Sequence, residues 1–340
     1  VKRVARSRYP QVHTQAIALS WIADDYEHVT RIVRRQDALT RGITDSELQR
    51  YCRTESWKRL RPGAFVSRDE FDALGAVDKH RVIAEAVLGA ARTPDAVLSH
   101  VSAAVVHGLS AWGLPLRKVH VTRNRRSGAR TSSVRVLHCS PYHPHEIVDV
   151  DGIRVTSLER TIADIARSEN FEPAVCAADE AARLHNLTSA EVVNALDLRP
   201  THSGNAAGLR VANFMNGRAE SVGESRTRVT LTELGYLPEL QTSIVVQGKS
   251  IARVDFYLRA ITTACEFDGK IKYGRLVPEG STAHEVVWRE KLREDAIRDA
   301  GIQVVRLTWA DLSAPVEIRR RIEAAALRAA KSPPPTAIAR

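Results

Sequence analysis

The chain has 340 residues, 44% of them hydrophobic, and carries 50 Lys and Arg against 40 Asp and Glu, a formal net charge of +10. That length predicts two or three domains rather than one core, and the charge favours a polyanionic partner, nucleic acid first. No apolar run approaches about 18 residues, which excludes a transmembrane helix, and Cys52, Cys139, Cys176 and Cys265 form no CxxC pair, which argues against a disulfide framework or a cysteine zinc site. The opening VKRVARSRYPQVHTQ is basic without an apolar core or cleavage site, so no signal peptide is expected; a cytoplasmic location and no membrane partner are.

The first predicted segment spans 15–72. In YEHVTRIVRRQDAL, at 26–39, Val29, Ile32, Val33 and Leu39 recur at helical spacing, and Gly42 ends the helix. In ITDSELQRYC, Thr44 and Glu47 form a capping box that opens a second helix. WKRLRPGAFVSR reads as two short strands around the turn dipeptide Pro62-Gly63. Helix, capped helix and basic hairpin make a winged helix-turn-helix pattern. In it Ser46, Gln49, Arg50 and Arg53 face a major groove, and Lys58, Arg59 and Arg61 sit on the wing beside phosphates.

The second segment spans 73–205. KHRVIAEAVLGAA predicts a helix, and LSHVSAAVVHGL a second one ending at Gly108. No acidic residue stands between Asp95 and Glu146, a stretch that holds Arg117, Lys118, Arg123, Arg125, Arg126, Arg130 and Arg135. Its loop TRNRRSGART lies between the predicted strands RKVHVT and SVRVLH and can neutralise phosphates without reading sequence. His138, Cys139, His143 and His145 are metal-capable, but their spacing fits no standard zinc site and Pro141 and Pro144 point to a plain loop. VDGIRVTSLERTIADIAR is a strand and then a helix from Leu158, capped by Thr156 or Ser157; FEPAVCAADEAARLHN is a further helix. Through GITDSELQRY, WKRLRPGAFV, LSHVSAAVVHGL and VDGIRVTSLERTIADIAR, about the first 200 residues resemble the AbiEi-type antitoxin family of bacterial type IV toxin–antitoxin systems. The resemblance implies a DNA-binding winged helix that represses its own operon, a cognate toxin protein as partner, and no catalytic residues.

The third segment spans 215–328 and follows the polar linker RPTHSGNAAG. RAESVGESRTRVTLTELG is a helix capped by Ser221, with Glu224 three residues on, and stopped by Gly235. LQTSIVVQ and SIARVDFYL are strands joined at Gly248-Lys249, and ITTACEF is a third strand. VVWREKLREDAIRDAG is a helix stopped by Gly301, with Arg293 as a DNA contact; Arg306, in an otherwise apolar strand, calls for a carboxylate partner such as Asp268 or Asp295. IQVVRLTW is a fourth strand, a helix follows, and the Pro-rich tail at 329–340 is expected to be disordered. The order is α-β-β-β-α-β.

Lysine supplies only nine of the 50 basic residues, yet two stand in ACEFDGKIKYG, where Glu266, Asp268, Lys270 and Lys272 alternate along the third strand. Side chains two apart on a strand share a face, roughly 6.8 Å apart, and Asp255 on the preceding strand can lie beside them. Gathered carboxylates repel one another. A divalent ion with oxygen ligands removes that cost and suits phosphodiester hydrolysis, with a lysine offsetting charge in the transition state. Through ESVGESRTR, RVDFYL, ACEFDGKIKYG and EKLREDAIRDAGIQVVRLTWADL, this segment resembles the very-short-patch-repair-endonuclease-like branch of the PD-(D/E)XK nuclease superfamily. The resemblance implies that Asp255 and Glu266 or Asp268 bind Mg²⁺ and that Glu224 completes the site. If Glu266 fills the motif's acidic position, Asp268 stands where lysine is expected; if Asp268 fills it, Lys270 fits and Glu266 is extra. Val254, not proline, precedes Asp255.

The expectation is an α+β multidomain fold: a winged helix-turn-helix, a mixed α/β middle domain and an αβββαβ restriction-endonuclease-like domain. The expected activity is Mg²⁺- or Mn²⁺-dependent cleavage of double-stranded DNA. Asp255, Glu266, Asp268 and Lys270 are its catalytic residues, and Asp255, Glu266, Asp268 and Glu224 the metal ligands. The alternative is a non-catalytic winged-helix autorepressor or antitoxin.

Overall fold

The computed structural model describes residues 32–54, 56–269, 283–331 and 335–339. The chain is mixed α/β and multidomain, with several sheets. It divides into two compact units, Val1–Leu98 with Leu116–Pro141, and Ser99–Pro115 with Tyr142–Arg340.

Unit one opens with β1 (Val33–Arg34), α1 (Arg35–Thr40), α2 (Asp45–Arg53), β2 (Trp57–Arg61) and β3 (Ala64–Ser67). The helix expected over 26–39 is short. Its first residues lie outside the described ones, and Val33 and Arg34 are a strand paired with Phe65 and Ala64. Val33 is β-branched and buried in a cluster with Leu48, Tyr51, Trp57 and Phe65, so tertiary packing overrides the local helical spacing. The capping box of α2 forms as read: the Glu47 N–H donates to Thr44 Oγ1 (3.3 Å) and the Thr44 N–H to Glu47 Oε2 (2.9 Å). At the hairpin turn Gly63 has φ +83°, a conformation that favours glycine. Then come α3 (Arg68–Ala73), α4 (Ala76–Leu88), β4 (Ala96–Leu98), β5 (Val119–Arg123), β6 (Arg130–Thr131) and β7 (Arg135–Cys139). β5 pairs with β4 antiparallel and with β7 parallel. Strand β6, inside the basic loop, returns antiparallel on β7.

Unit two holds α5 (His100–Val106), β8 (Ile147–Val150), β9 (Ile153–Thr156), α6 (Leu158–Ser168), α7 (Phe171–His185), α8 (Ser189–Asp197) and α9 (Asn205–Phe214). The expected linker is in part helix: α9 starts behind Gly204, whose φ is +86°. A buried ionic network stitches these elements. Arg160 binds Asp164 (2.8 Å) and Glu146 (3.0 Å), Arg167 binds Asp164 (3.2 Å), and Arg199 binds Glu146 (2.8 Å). There follow α10 (Val222–Glu233), β10 (Glu239–Val246), β11 (Lys249–Leu258), β12 (Thr263–Asp268), α11 (Ala283–Asp299), β13 (Gln303–Thr308), α12 (Pro315–Ala329) and β14 (Ala337–Ala339).

The α-β-β-β-α-β order read for 215–328 is the observed one. The sheet runs β13-β12-β11-β10-β14, with β12 and β13 parallel and the other neighbours antiparallel. The β10–β11 turn falls at Gln247-Gly248, both at positive φ, one residue before the expected pair. Leu231 of α10 and Ile318 and Ile322 of α12 pack on Phe256, Cys265, Phe267 and Leu307, while Ile297 of α11 packs on Ile244, Val254, Ala264 and Val304. Each such side chain contributes roughly 1.5–3 kcal/mol. A tight joint ties α10 to α7. Arg228 reaches back to buried Asp179 on α7 (2.8 Å), so the boundary expected near 205–215 lies inside one unit. At the C-terminus, where disorder was expected, Ala337–Ala339 pair with Ile244–Val246, because β10 otherwise offers an unpaired strand edge. No helix among the described residues is long and apolar enough to cross a membrane.

Candidate metal centre and nucleic-acid interface

The acidic site starts with the cap of α10. Ser221 Oγ accepts the Glu224 N–H (3.2 Å) and donates to Glu224 Oε1 (2.8 Å). The Glu220 N–H and Gln241 Nε2 both donate to Glu224 Oε2, each at 2.9 Å. The carboxylate is thereby aimed back at the sheet. Gly223 allows the approach: a Cβ there would lie 1.9 Å from Phe267 Cε1, so any other residue drives α10 off β12. Burial pushes the Glu224 carboxyl above its ordinary range; hydrogen bonds oppose the shift and the nearby Asp255 charge adds to it.

Asp255 and Glu266 meet where β11 and β12 diverge. The pairing Phe256↔Cys265 brings them side by side, and Asp255 Oδ2 accepts the Phe267 N–H at 2.8 Å. Glu266 is 8% exposed. Burial raises its pKa, Arg293 and Arg306 pull it down, and Asp255 raises it again. Arg293 Nη2 donates to Glu266 Oε2 (3.0 Å) and Nη1 lies 2.9 Å from Oε1 as an ion pair. That second contact lacks hydrogen-bond geometry, and Oε1 is buried without a hydrogen bond among the described residues. Glu224, Asp255 and Glu266 therefore form one electrostatically coupled group. They are not drawn into a closed cage: among the described residues no three carboxylates have oxygens all within 4.8 Å of one another. Asp268 ends β12, half-buried. Lys270 and Lys272 lie outside the described residues.

Arg293, read from the sequence as a DNA contact, is engaged with Glu266 and with the Arg253 carbonyl (3.1 Å). The carboxylate partner of Arg306 is Glu294, at 2.9 Å, rather than Asp268 or Asp295. Sequence reasoning missed two residues of this site. Gln241 fixes Glu224 from β10 with its own φ at +49°. Gly223 leaves one local trace, a poor helix former in the first turn of a capped helix.

In unit one, Gln49, Arg50 and Arg53 are exposed on α2, opposite the face that buries Leu48 and Tyr51. Arg53, Arg59, Gln49 and Arg35 border an open cavity of about 500 Å³ between α2 and the β2–β3 hairpin, with Arg35 paired to Asp45 at 2.5 Å. Arg61 is corrected. Its Nη1 donates to the Val87 carbonyl (2.9 Å) near the end of α4, so it braces the hairpin from within. Lys58 is bridged to Asp72 (2.8 Å) over the Phe71 ring, and Arg123 to Asp95 (2.9 Å). Arg125 Nε donates to Cys139 Sγ (3.2 Å). Arg126 and Arg130 are exposed. His138 Nε2 lies 3.1 Å from His120 Nδ1; burial first, then His138, His80 and Lys118, hold His120 down to about 4.

No protein-family profile matches the chain. It is similar to the uncharacterized proteins MT2308 and Rv2248 from two strains of Mycobacterium tuberculosis, 32% identical to each over 120 residues, 35% of this chain and 44% of theirs. The match thus spans less than half the length of those relatives. A crystal structure of the RV2827C protein from Mycobacterium tuberculosis superposes with a TM-score of 0.40 at 12% identity, over 65% of this chain and 82% of that one, a similarity too low to carry an argument.

Proposed function

We propose that the chain is a double-stranded-DNA-binding protein whose second unit carries a Mg²⁺- or Mn²⁺-dependent phosphodiester hydrolase site. The observation that carries this reading is the coupled group Glu224, Asp255 and Glu266, in which Glu266 keeps a buried oxygen without a hydrogen bond. An all-carboxylate donor set with a spare oxygen suits a hard divalent ion. Glu224, Asp255, Glu266 and Asp268 are the proposed ligands. Once bound, such an ion supplies an acidified water and neutralises charge on the phosphodiester. The chain's own residues orient that chemistry: Ser221, Gln241 and the Glu220 N–H fix Glu224, the Phe267 N–H fixes Asp255, and Arg293 offsets Glu266. Lys270 is proposed from the sequence alone as the cation that stabilises the transition state. Exposed Gln49, Arg50, Arg53 and Arg59 support a winged helix-turn-helix in unit one that docks on the duplex.

The test is supercoiled plasmid incubated with the full chain in Mg²⁺, Mn²⁺ or EDTA. We expect cleavage with metal only, abolished in Asp255→Asn and Glu266→Gln. Lys270→Ala should lose cleavage and keep DNA binding, since its contribution belongs to the transition state. A second reading, a non-catalytic autorepressor or an antitoxin facing a toxin protein, is favoured by one observation: Arg293 already neutralises Glu266. DNA binding without cleavage under any divalent ion would establish that reading instead.

A further inference from the structure

Beside the acidic site lies an open cavity of about 670 Å³ lined by Arg183, Gly217, Arg218, Glu220, Gln241 and Arg253. Three guanidinium groups come from α7, the turn before α10, and β11. The wall is shared with the acidic site. Gln241 and Glu220, both in the lining, are the donors to Glu224 Oε2. Arg253 joins through its carbonyl to Arg293, the partner of Glu266. Only part of the cationic charge is spent internally. Arg253 bridges Glu220 at 2.8 Å, Arg218 Nη2 donates to the Gln241 carbonyl at 3.3 Å, and Arg183 stands 3.9 Å from Glu180.

We infer that this cavity seats a backbone phosphate of the same nucleic-acid strand that presents its scissile bond to the acidic group. The inference rests on the function proposed above and deepens it. A strand carries one phosphate per roughly 3.4 Å of rise. Carboxylates repel that polyanion, so a strand held against Glu224, Asp255 and Glu266 needs cations for the neighbouring phosphates. Guanidinium groups offer planar paired donors that match phosphate oxygens. Two of the cavity's guanidinium groups touch the residues that hold Glu224, Arg253 through Glu220 and Arg218 through the Gln241 carbonyl, and Arg183 lines the same cavity. Glu220 holds Arg253 in the wall until the phosphate engages it.

The experiment reads binding, not cleavage. Full-length chain in EDTA is titrated with a fluorescein-labelled 20-base-pair duplex across a NaCl series. In Arg183→Ala/Arg218→Ala, which spares the Arg253–Glu220 bridge, the slope of log affinity against log salt should become shallower by about 0.9 per arginine. Thermal melting should match wild type, because both side chains are exposed. Adding Arg253→Ala should flatten the slope by a similar further step. An unchanged slope in the double variant overturns the inference. So does displacement of duplex by inorganic phosphate, beyond chloride of equal ionic strength, with the duplex slope unaltered; that outcome assigns the cavity to free phosphate. If wild type cleaves no DNA but the slope still flattens, the strand seat stands and the hydrolase reading falls. If wild type cleaves and the slope stays the same, only the strand seat falls.

Discussion

Gly223 shows how far one atom reaches at the acidic site. A Cβ there would meet three atoms of the Phe267 ring, the nearest at 1.9 Å, and Phe267 is itself held edge-on to Trp309 at 4.9 Å. The ring cannot swing aside, so α10 must move and take Glu224 with it. Gly223→Ala should destabilise unit two by about 1–3 kcal/mol, as overpacked cores do, in urea unfolding followed by circular dichroism. A neutral result would mean that the first turn of α10 is not clamped to β12. Arg293 gives a second residue-scale prediction. Removing it leaves Glu266 buried with Arg306 as the remaining cation acting on it among the described residues. Fully buried pairs lose about 3–5 kcal/mol when one partner goes; Arg293 is about one-third exposed, so about 1–2 kcal/mol is expected for Arg293→Ala. Added Mg²⁺ should restore much of that loss by replacing the missing charge. If Mg²⁺ stabilises wild type and variant equally, or neither, Glu266 is not a metal ligand.

At the scale of elements, neighbouring arginines on the β2 strand have opposite fates. Arg59 is exposed beside α2, whereas Arg61 is turned inward onto the last carbonyls of α4. Arg59→Ala should weaken duplex binding and leave the melting temperature alone. Arg61→Ala should lower the melting temperature and affect binding little at temperatures where the unit stays folded. The reverse pattern would place the interface on another face. Both arginines look alike in WKRLRPG, and what separates them is a carbonyl 26 residues away. That is the general division between what could and could not be read from the sequence. The caps at Thr44 and Ser221 and the stops at Gly235 and Gly301 were legible because they are settled within one helical turn. The alternation around Glu266 was legible because a strand repeats every two residues. Val33–Arg34 as a strand, α9 inside an apparent linker and β14 on the edge of β10 were not, since each depends on a surface supplied by distant chain. The Arg293–Glu266 pair was hidden for the same reason: 27 residues separate the partners, and a solvated helix face carries the same charges.

Across the whole molecule, one buried group in each unit is held in the opposite state, His120 neutral and Glu146 charged, and acid should tell the two apart. In unit one His120 is buried neutral, held down from its ordinary 6.5 to about 4. The unfolded chain binds its proton first, so unit one should lose stability as the pH falls from 6.5 toward 4, and no more from this group below that. In unit two burial pushes the Glu146 carboxyl up, but hydrogen bonds from Arg199, the His143 N–H and Arg160 outweigh it and hold it at about 2. Its contribution is complete above about 4.5 and is lost as the pH falls toward 2. Each span is about 2.5 pH units, or about 3 kcal/mol per group. The chain should therefore unfold in two acid limbs rather than as a single two-state protein. Urea denaturation at half-unit pH steps measures both. His120→Gln should flatten the limb between pH 6.5 and 4 and leave the lower one, and Glu146→Gln should destabilise unit two at neutral pH while flattening the limb below 4.5. If His120→Gln leaves the upper limb unchanged, the imidazole is not buried neutral in unit one; if both variants alter the same limb, the units do not carry separate ionic supports.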